Sequence, residues 1–208
     1  MKKNLSYLYT IVILLAATVL SVLFVDRPLA VFLDNHGKNL KPLFNRTVEG
    51  IEMVSGFTVS QFLLGGVLLA LGIALWIKDK NRSRANLFLL VGLAHTCSRL
   101  LAGTLKNVFH RSRPYEYLSN HSISDFCTGA GNSFPSGHAA HFFSLFIPLI
   151  LLFPKYKWSL LVVPVFVAVQ RVISGDHYLG DVLAGTLIAY LFSIVFIIAI
   201  KPVEYEKN

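Results

Sequence analysis

Charge is scarce in this sequence. Of its 208 residues only 14% are Asp, Glu, Lys or Arg, and acids are the rarer sign, 11 against 19. An ordinary soluble domain carries about a quarter charged residues, so this composition excludes one. Cysteine is nearly missing as well. Cys97 lies inside an apolar run and Cys127 in a polar loop, which leaves no disulfide framework. There is no internal repeat and no low-complexity tract. No small-x-small cleavage site precedes Asp26, so the first apolar run reads as an uncleaved signal anchor rather than a leader. The formal net charge of +8 is carried at the chain ends and in short loops between apolar runs. That is where membrane topology requires cations, and the distribution argues against nucleic acid as a partner.

What the sequence does have is apolar length. It is 54% hydrophobic, with a mean hydropathy of +0.61. Several of its runs approach the roughly 20 residues that cross a bilayer. Six spans can be drawn, at about 7–25, 57–77, 86–105, 138–153, 158–174 and 180–200. The expectation is an all-α, polytopic bundle of six transmembrane helices, one domain over residues 1–208, embedded in a lipid bilayer. Lys2 and Lys3, the loop "KDKNRSR" at 78–84, the turn "KYK" at 155–157, and Lys201 and Lys207 fall on one side, which should be cytoplasmic. Segment 26–56 falls on the other side. Its Leu and Phe residues alternate with charges, as in a helix or two lying at the interface, although its four basic residues run against the bias.

The polar residues with chemical use collect on that outward side. "KNVFHRSRP" sets Lys106 seven residues before Arg113, a spacing that puts both cations on one face if the stretch is helical. "FPSGH" brings Ser136, the Gly137 backbone and His138 to a helix N-terminus, where unpaired N–H groups and the positive dipole end suit an anion. "QRVISGDHYLGD" adds Arg171, His177 and Asp181. Three cations of different reach can neutralise a doubly charged phosphate, and the arginine fork matches its oxygens. His177 and Asp181 are four apart and share a helical face, so the carboxylate can fix the imidazole tautomer and make it a nucleophile or base. His138, from another span, can donate a proton to a leaving oxygen. Each piece alone has a plain structural reading, an interfacial histidine or an arginine reaching to lipid phosphate. Their convergence from three segments on one side does not. His141, three after His138, invites a metal reading but is better placed as a bundle-packing residue, and Arg99 as a structural cation facing the bundle interior.

Lys106-x6-Arg113-Pro114, Pro135-Ser136-Gly137-His138 and Arg171-x5-His177-x3-Asp181 resemble the three-part signature of the membrane-bound type 2 phosphatidic acid phosphatases. The resemblance implies that His177 attacks phosphorus to form a phosphohistidine while Asp181 orients it. It implies that His138 protonates the leaving group and then activates water, and that Lys106, Arg113, Ser136, Gly137 and Arg171 hold the phosphoryl oxygens. It implies no metal and no other cofactor. Gln170 stands where the family usually has serine and is left out of the site. The implied substrate is a membrane lipid phosphate or pyrophosphate: undecaprenyl pyrophosphate, phosphatidylglycerol phosphate, phosphatidic acid or a lipid A phosphate. The site would lie on the outer face of a bacterial inner membrane, toward the periplasm or exterior. The alternatives are a lipid phosphotransferase that uses the same intermediate, or a non-catalytic membrane transporter.

Overall fold

The structure is a computed structural model, and it describes residues 2–37, 39, 41–78, 82–119, 126–127 and 131–200. Among these the regular structure is entirely helical. The helices are α1 (Lys2–Leu20), α2 (Asp26–His36), α3 (Lys41–Val54), α4 (Leu63–Lys78), α5 (Ser83–Phe109), α6 (Pro114–Ser119), α7 (Gly137–Leu152), α8 (Lys157–Ile173) and α9 (Leu179–Ile200). The tail with Lys201 and Lys207 and residues 79–81 of the basic loop lie outside the described residues.

Among the described residues four helical stretches are long and apolar enough to cross a membrane: Leu5–His36, Ser83–Ser119, Pro154–Ile173 and Leu179–Ile200. Two shorter apolar helices, Leu63–Lys78 and Gly137–Leu152, occupy the second and fourth of the expected spans. Each has 16 residues, about 24 Å at 1.5 Å per residue, short of the roughly 30 Å hydrocarbon core. Expected span 57–77 begins late because residues 55–62 form turns before α4. The first run extends further than its apolar residues alone require. α1 passes through a π-helical turn at Ser21–Val25 into α2, and the Asp26 N–H reaches the Ser21 carbonyl. Pro28 lacks the N–H that would close an ordinary turn onto Phe24, which favours a widened turn just before it. That turn aims Asp26 into the protein, where Ser21 Oγ donates to Asp26 Oδ1 at 2.7 Å.

α9 is the central helix, packed against α7, α5 and α1, while α4 lies along α5 and α8 along α7. Small residues let α7 and α9 approach. A Cβ on Gly185 would stand 2.5 Å from the Ser136 carbonyl oxygen and 3.0 Å from the Ala139 methyl. The core follows this centre: Ala139, Phe143, Ile147, Val182, Ala189 and Ile194 form one buried cluster. Large apolar side chains such as Ile13, Leu23, Phe24, Trp158 and Ile198 stay exposed on the outer faces, as lipid-facing residues do. Segment 26–56 is helical as α2 and α3, and α3 packs on α8.

Candidate active site

The site is built where four helix ends meet: the C-termini of α5 and α8 and the N-termini of α7 and α9. α5 ends on His110, whose left-handed backbone (φ 41°) turns the chain sharply and sends Arg111 inward. Backbone hydrogen bonds then lock the expected segments together. The Ser136 N–H donates to the Asp181 carbonyl at 2.9 Å, and the His177 N–H donates to the Arg171 carbonyl at 3.1 Å. The Lys106 ammonium donates to the carbonyl of Asn132, just before the turn into α7.

His177 and Asp181 are both buried, with Nδ1 3.4 Å from Oδ2. Asp181 is gripped from several directions. Its Oδ2 accepts from the Ser133 hydroxyl and from the Tyr178 N–H at 2.9 Å, and its Oδ1 accepts from Arg111 Nη1 at 2.6 Å. Arg111, also buried, pairs through Nη2 with Asp26 Oδ2 at 2.8 Å. Asp26 in turn accepts the Gly180 N–H at 2.8 Å. The result is a chain of opposite charges, Asp26–Arg111–Asp181–His177, in which Asp181 can neither rotate nor take up a proton easily. Burial pushes the His177 imidazole below its ordinary range despite the opposing pull of Asp181. A neutral imidazole with Nδ1 turned to a carboxylate presents Nε2 as its free nucleophilic nitrogen.

The cations form the opposite wall. Arg171 Nη1 bonds Asp176 Oδ2 at 3.0 Å, and Arg113 Nη1 lies 3.7 Å from Asp176 Oδ1. Burial raises the Asp176 carboxyl, but the Ser174 hydrogen bond and the Arg171 charge outweigh it and hold it below the usual range. Ser136 is fully buried and caps α7, accepting the Ala139 N–H at 3.3 Å. Gly137 has a different neighbour from the one the sequence suggests. A Cβ there would stand 2.5 Å from Arg99 Nη1, and that guanidinium donates to the Gly137 carbonyl and to Gln61 Oε1. Arg99 therefore faces the bundle interior and braces the first turn of α7 through a carbonyl bond.

All eight sequence-derived residues, Lys106, Arg113, Ser136, Gly137, His138, Arg171, His177 and Asp181, belong to this cluster of helix ends. His141 faces away from it, with Nδ1 2.8 Å from His95 Nε2. Among the described residues no group of three or more His, Cys, Asp or Glu side chains is gathered as a metal would need. Gln170 points to α3, donating to Asn45 Oδ1 at 2.8 Å. Sequence reasoning missed Asp26, Arg111, Ser133, Asp176 and Glu52. Glu52 Oε1 accepts from Arg171 Nη2 and lies 2.9 Å from His138 Nε2. The available signal was composition: in a chain this poor in acid, each Asp or Glu near an apolar segment needs a partner.

Comparison with known proteins identifies the family and the fold. Residues 85–204 match the family model described as the PAP2 superfamily, and they include every residue of the three motifs. A lipid A 1-phosphatase of Rhizobium johnstonii is 33% identical over 102 residues, 47% of this chain and 41% of that protein. Two BcrC proteins of Bacillus are also similar. The one from Bacillus licheniformis, a bacitracin transport permease protein, is 30% identical over 64% of this chain and 65% of its own. The other, an undecaprenyl-diphosphatase of Bacillus subtilis strain 168, is 23% identical over 60% and 63%. The match thus spans less than half the length of the lipid A 1-phosphatase. The crystal structure of the first transmembrane PAP2 type phosphatidylglycerolphosphate phosphatase from Bacillus subtilis superposes with a TM-score of 0.56, covering 100% of both chains at 19% identity, and shares the fold.

Proposed function

Because this chain belongs to the PAP2 superfamily, we propose that it is a membrane lipid phosphatase, hydrolysing a lipid phosphate or pyrophosphate through a phosphohistidine on His177. The observation that carries the reading is the buried His177–Asp181 pair fixed by Arg111 and Ser133, with Lys106, Arg113 and Arg171 around it. In the first step the Nε2 lone pair of His177 forms the N–P bond as the P–O bond to the lipid breaks, and the leaving oxygen takes a proton from His138. In the second, His138 takes a proton from water, whose oxygen forms a P–O bond as the N–P bond breaks and releases inorganic phosphate. Asp181 stabilises the charge that builds on His177 in the first step and disperses in the second. Lys106, Arg113, Arg171 and the N–H groups at the start of α7 neutralise the phosphoryl oxygens. Cations of the chain supply the charge compensation, so turnover should survive EDTA.

A lipid substrate also needs a place for its tail. An apolar groove of about 770 Å³ is lined by Ile51 and Val54 of α3, Leu68 of α4, and Phe142, Phe146 and Leu149 of α7. Its polarity and position suit a prenyl or acyl chain whose headgroup reaches the helix ends. The basic loops opposite the site favour an outward-facing pocket in a bacterial inner membrane, open to periplasm or exterior.

Phosphate release by the purified protein in detergent tests the proposal, using undecaprenyl pyrophosphate, phosphatidylglycerol phosphate, phosphatidic acid and a lipid A phosphate. Release from at least one of them, absent in His177→Ala, is the expected result. Transfer of label to a lipid acceptor without free phosphate would make it a phosphotransferase. Binding without either product would favour the transport reading that the name of the B. licheniformis relative suggests.

A further inference from the structure

Glu52 has no place in the three motifs, yet its carboxylate sits within the site. It comes from α3, and its Oε1 meets both His138 Nε2, at 2.9 Å, and Arg171 Nη2. The contact with His138 is an ion-pair approach rather than a fully aligned hydrogen bond. The turns after α3 hold the same histidine from other sides. The Phe57 ring lies 4.4 Å from the His138 ring, centroid to centroid, and Gln61 accepts from the Arg99 that grips the Gly137 carbonyl. Residues 52–61 therefore bracket the first turn of α7. Burial raises the Glu52 carboxyl, but the nearby His138 and the Arg171 charge outweigh it and hold it below the ordinary carboxylate range.

A helix would gain little by burying a carboxylate against a histidine and an arginine, since removing charges from water is costly unless each is used. The use follows from the geometry. A carboxylate facing Nε2 favours a proton on that nitrogen, opposes the cost that burial sets on the imidazolium, and leaves Nδ1–H as the group that can reach a leaving oxygen. We infer that Glu52 is the positioning residue of the proton donor, serving His138 as Asp181 serves His177. This rests on the proposal that His138 is the acid. During the first step the Nδ1 proton of His138 passes to the departing oxygen, and the neutral imidazole left behind keeps its Nε2–H on Glu52. In the second step Nδ1 takes a proton from water and the starting state returns. Glu52 itself neither gains nor loses a proton.

The test separates proton donation from mere support of α3 by varying the leaving group. The lipid alkoxide of phosphatidic acid needs a proton to depart, whereas the phenolate of 4-nitrophenyl phosphate does not. kcat/KM reports the first step for both substrates. Purified full-length Glu52→Gln should lose about 100-fold in kcat/KM on phosphatidic acid, within the range of general acid catalysis, but no more than about threefold on 4-nitrophenyl phosphate. Glu52→Asp should recover part of the loss. Equal losses on both substrates, or none on either, would overturn the inference. His138→Ala is the control for the reading beneath it. If that variant also fails to discriminate the two leaving groups, the acid assignment falls and the role of Glu52 falls with it. If His138→Ala discriminates and Glu52→Gln does not, only the role of Glu52 is lost.

Discussion

Arg111 lies between two buried carboxylates, Asp26 and Asp181, and its place shows how the partner of His177 is held. Removing one partner of such a cluster strands charge in a dry interior, at a cost of about 3–5 kcal/mol. Arg111→Met should therefore lower the thermal midpoint in detergent sharply, and Asp26→Asn together with Arg111→Met should be less damaging than Arg111→Met alone. A double variant no more stable than the single one would contradict the charge chain. Asp181→Asn keeps the shape but loses the charge that orients His177, so kcat should fall by about 10⁴-fold, with KM little changed. The lowered His177 sets the acid limb. As the proposed nucleophile His177 would attack only when neutral, and burial keeps it neutral to lower pH than usual. kcat/KM should thus hold as pH falls and drop only below the ordinary imidazole value of about 6.5, once the ionisation of the substrate is allowed for. A limb centred above that value would contradict a desolvated His177.

At the scale of elements, the helix ends that form the site were largely legible in the sequence. His177 and Asp181 do meet, but not on a shared helical face: His177 lies in the bend before α9, whose first turn carries Asp181. Ser136 does cap α7. The partners contributed by α2 and α3 were not legible, because a contact between Asp26 and Arg111 or between Glu52 and His138 depends on how remote helices pack, and no periodicity records that. The reason for Gly137 was likewise hidden, since it lies in the position of Arg99, one helix away. Gly137→Ala should force the Arg99 guanidinium off its carbonyl and misplace His138 in the first turn of α7. The expected outcome is a loss of about 100-fold in kcat, since small misplacements cost that much, with the far-UV helical signal unchanged. Full activity in that variant would contradict the bracing role of Arg99.

For the whole molecule, the all-helical bundle was legible from apolar run length and low charge, and the residue-level errors concern ends: the first run continues through Ser21–Val25 into α2, and α4 starts only at Leu63. A π-turn set by Pro28 and the turns after α3 leave no mark on a hydropathy profile. Sidedness belongs to this scale too. A cysteine at Ser119, at the end of α6, in a protein with Cys97 and Cys127 replaced, should react with an impermeant thiol reagent in intact spheroplasts; labelling only after lysis would place the site inside. The central claim is covalent chemistry on His177, and rapid acid-free quenching of the enzyme with a ³²P-labelled lipid phosphate tests it most directly. The proposed reading predicts a protein-bound phosphate that is stable in alkali, labile in acid, mapped to His177, and absent from His177→Ala. Turnover with no such adduct, or an adduct that persists in His177→Ala, would contradict it.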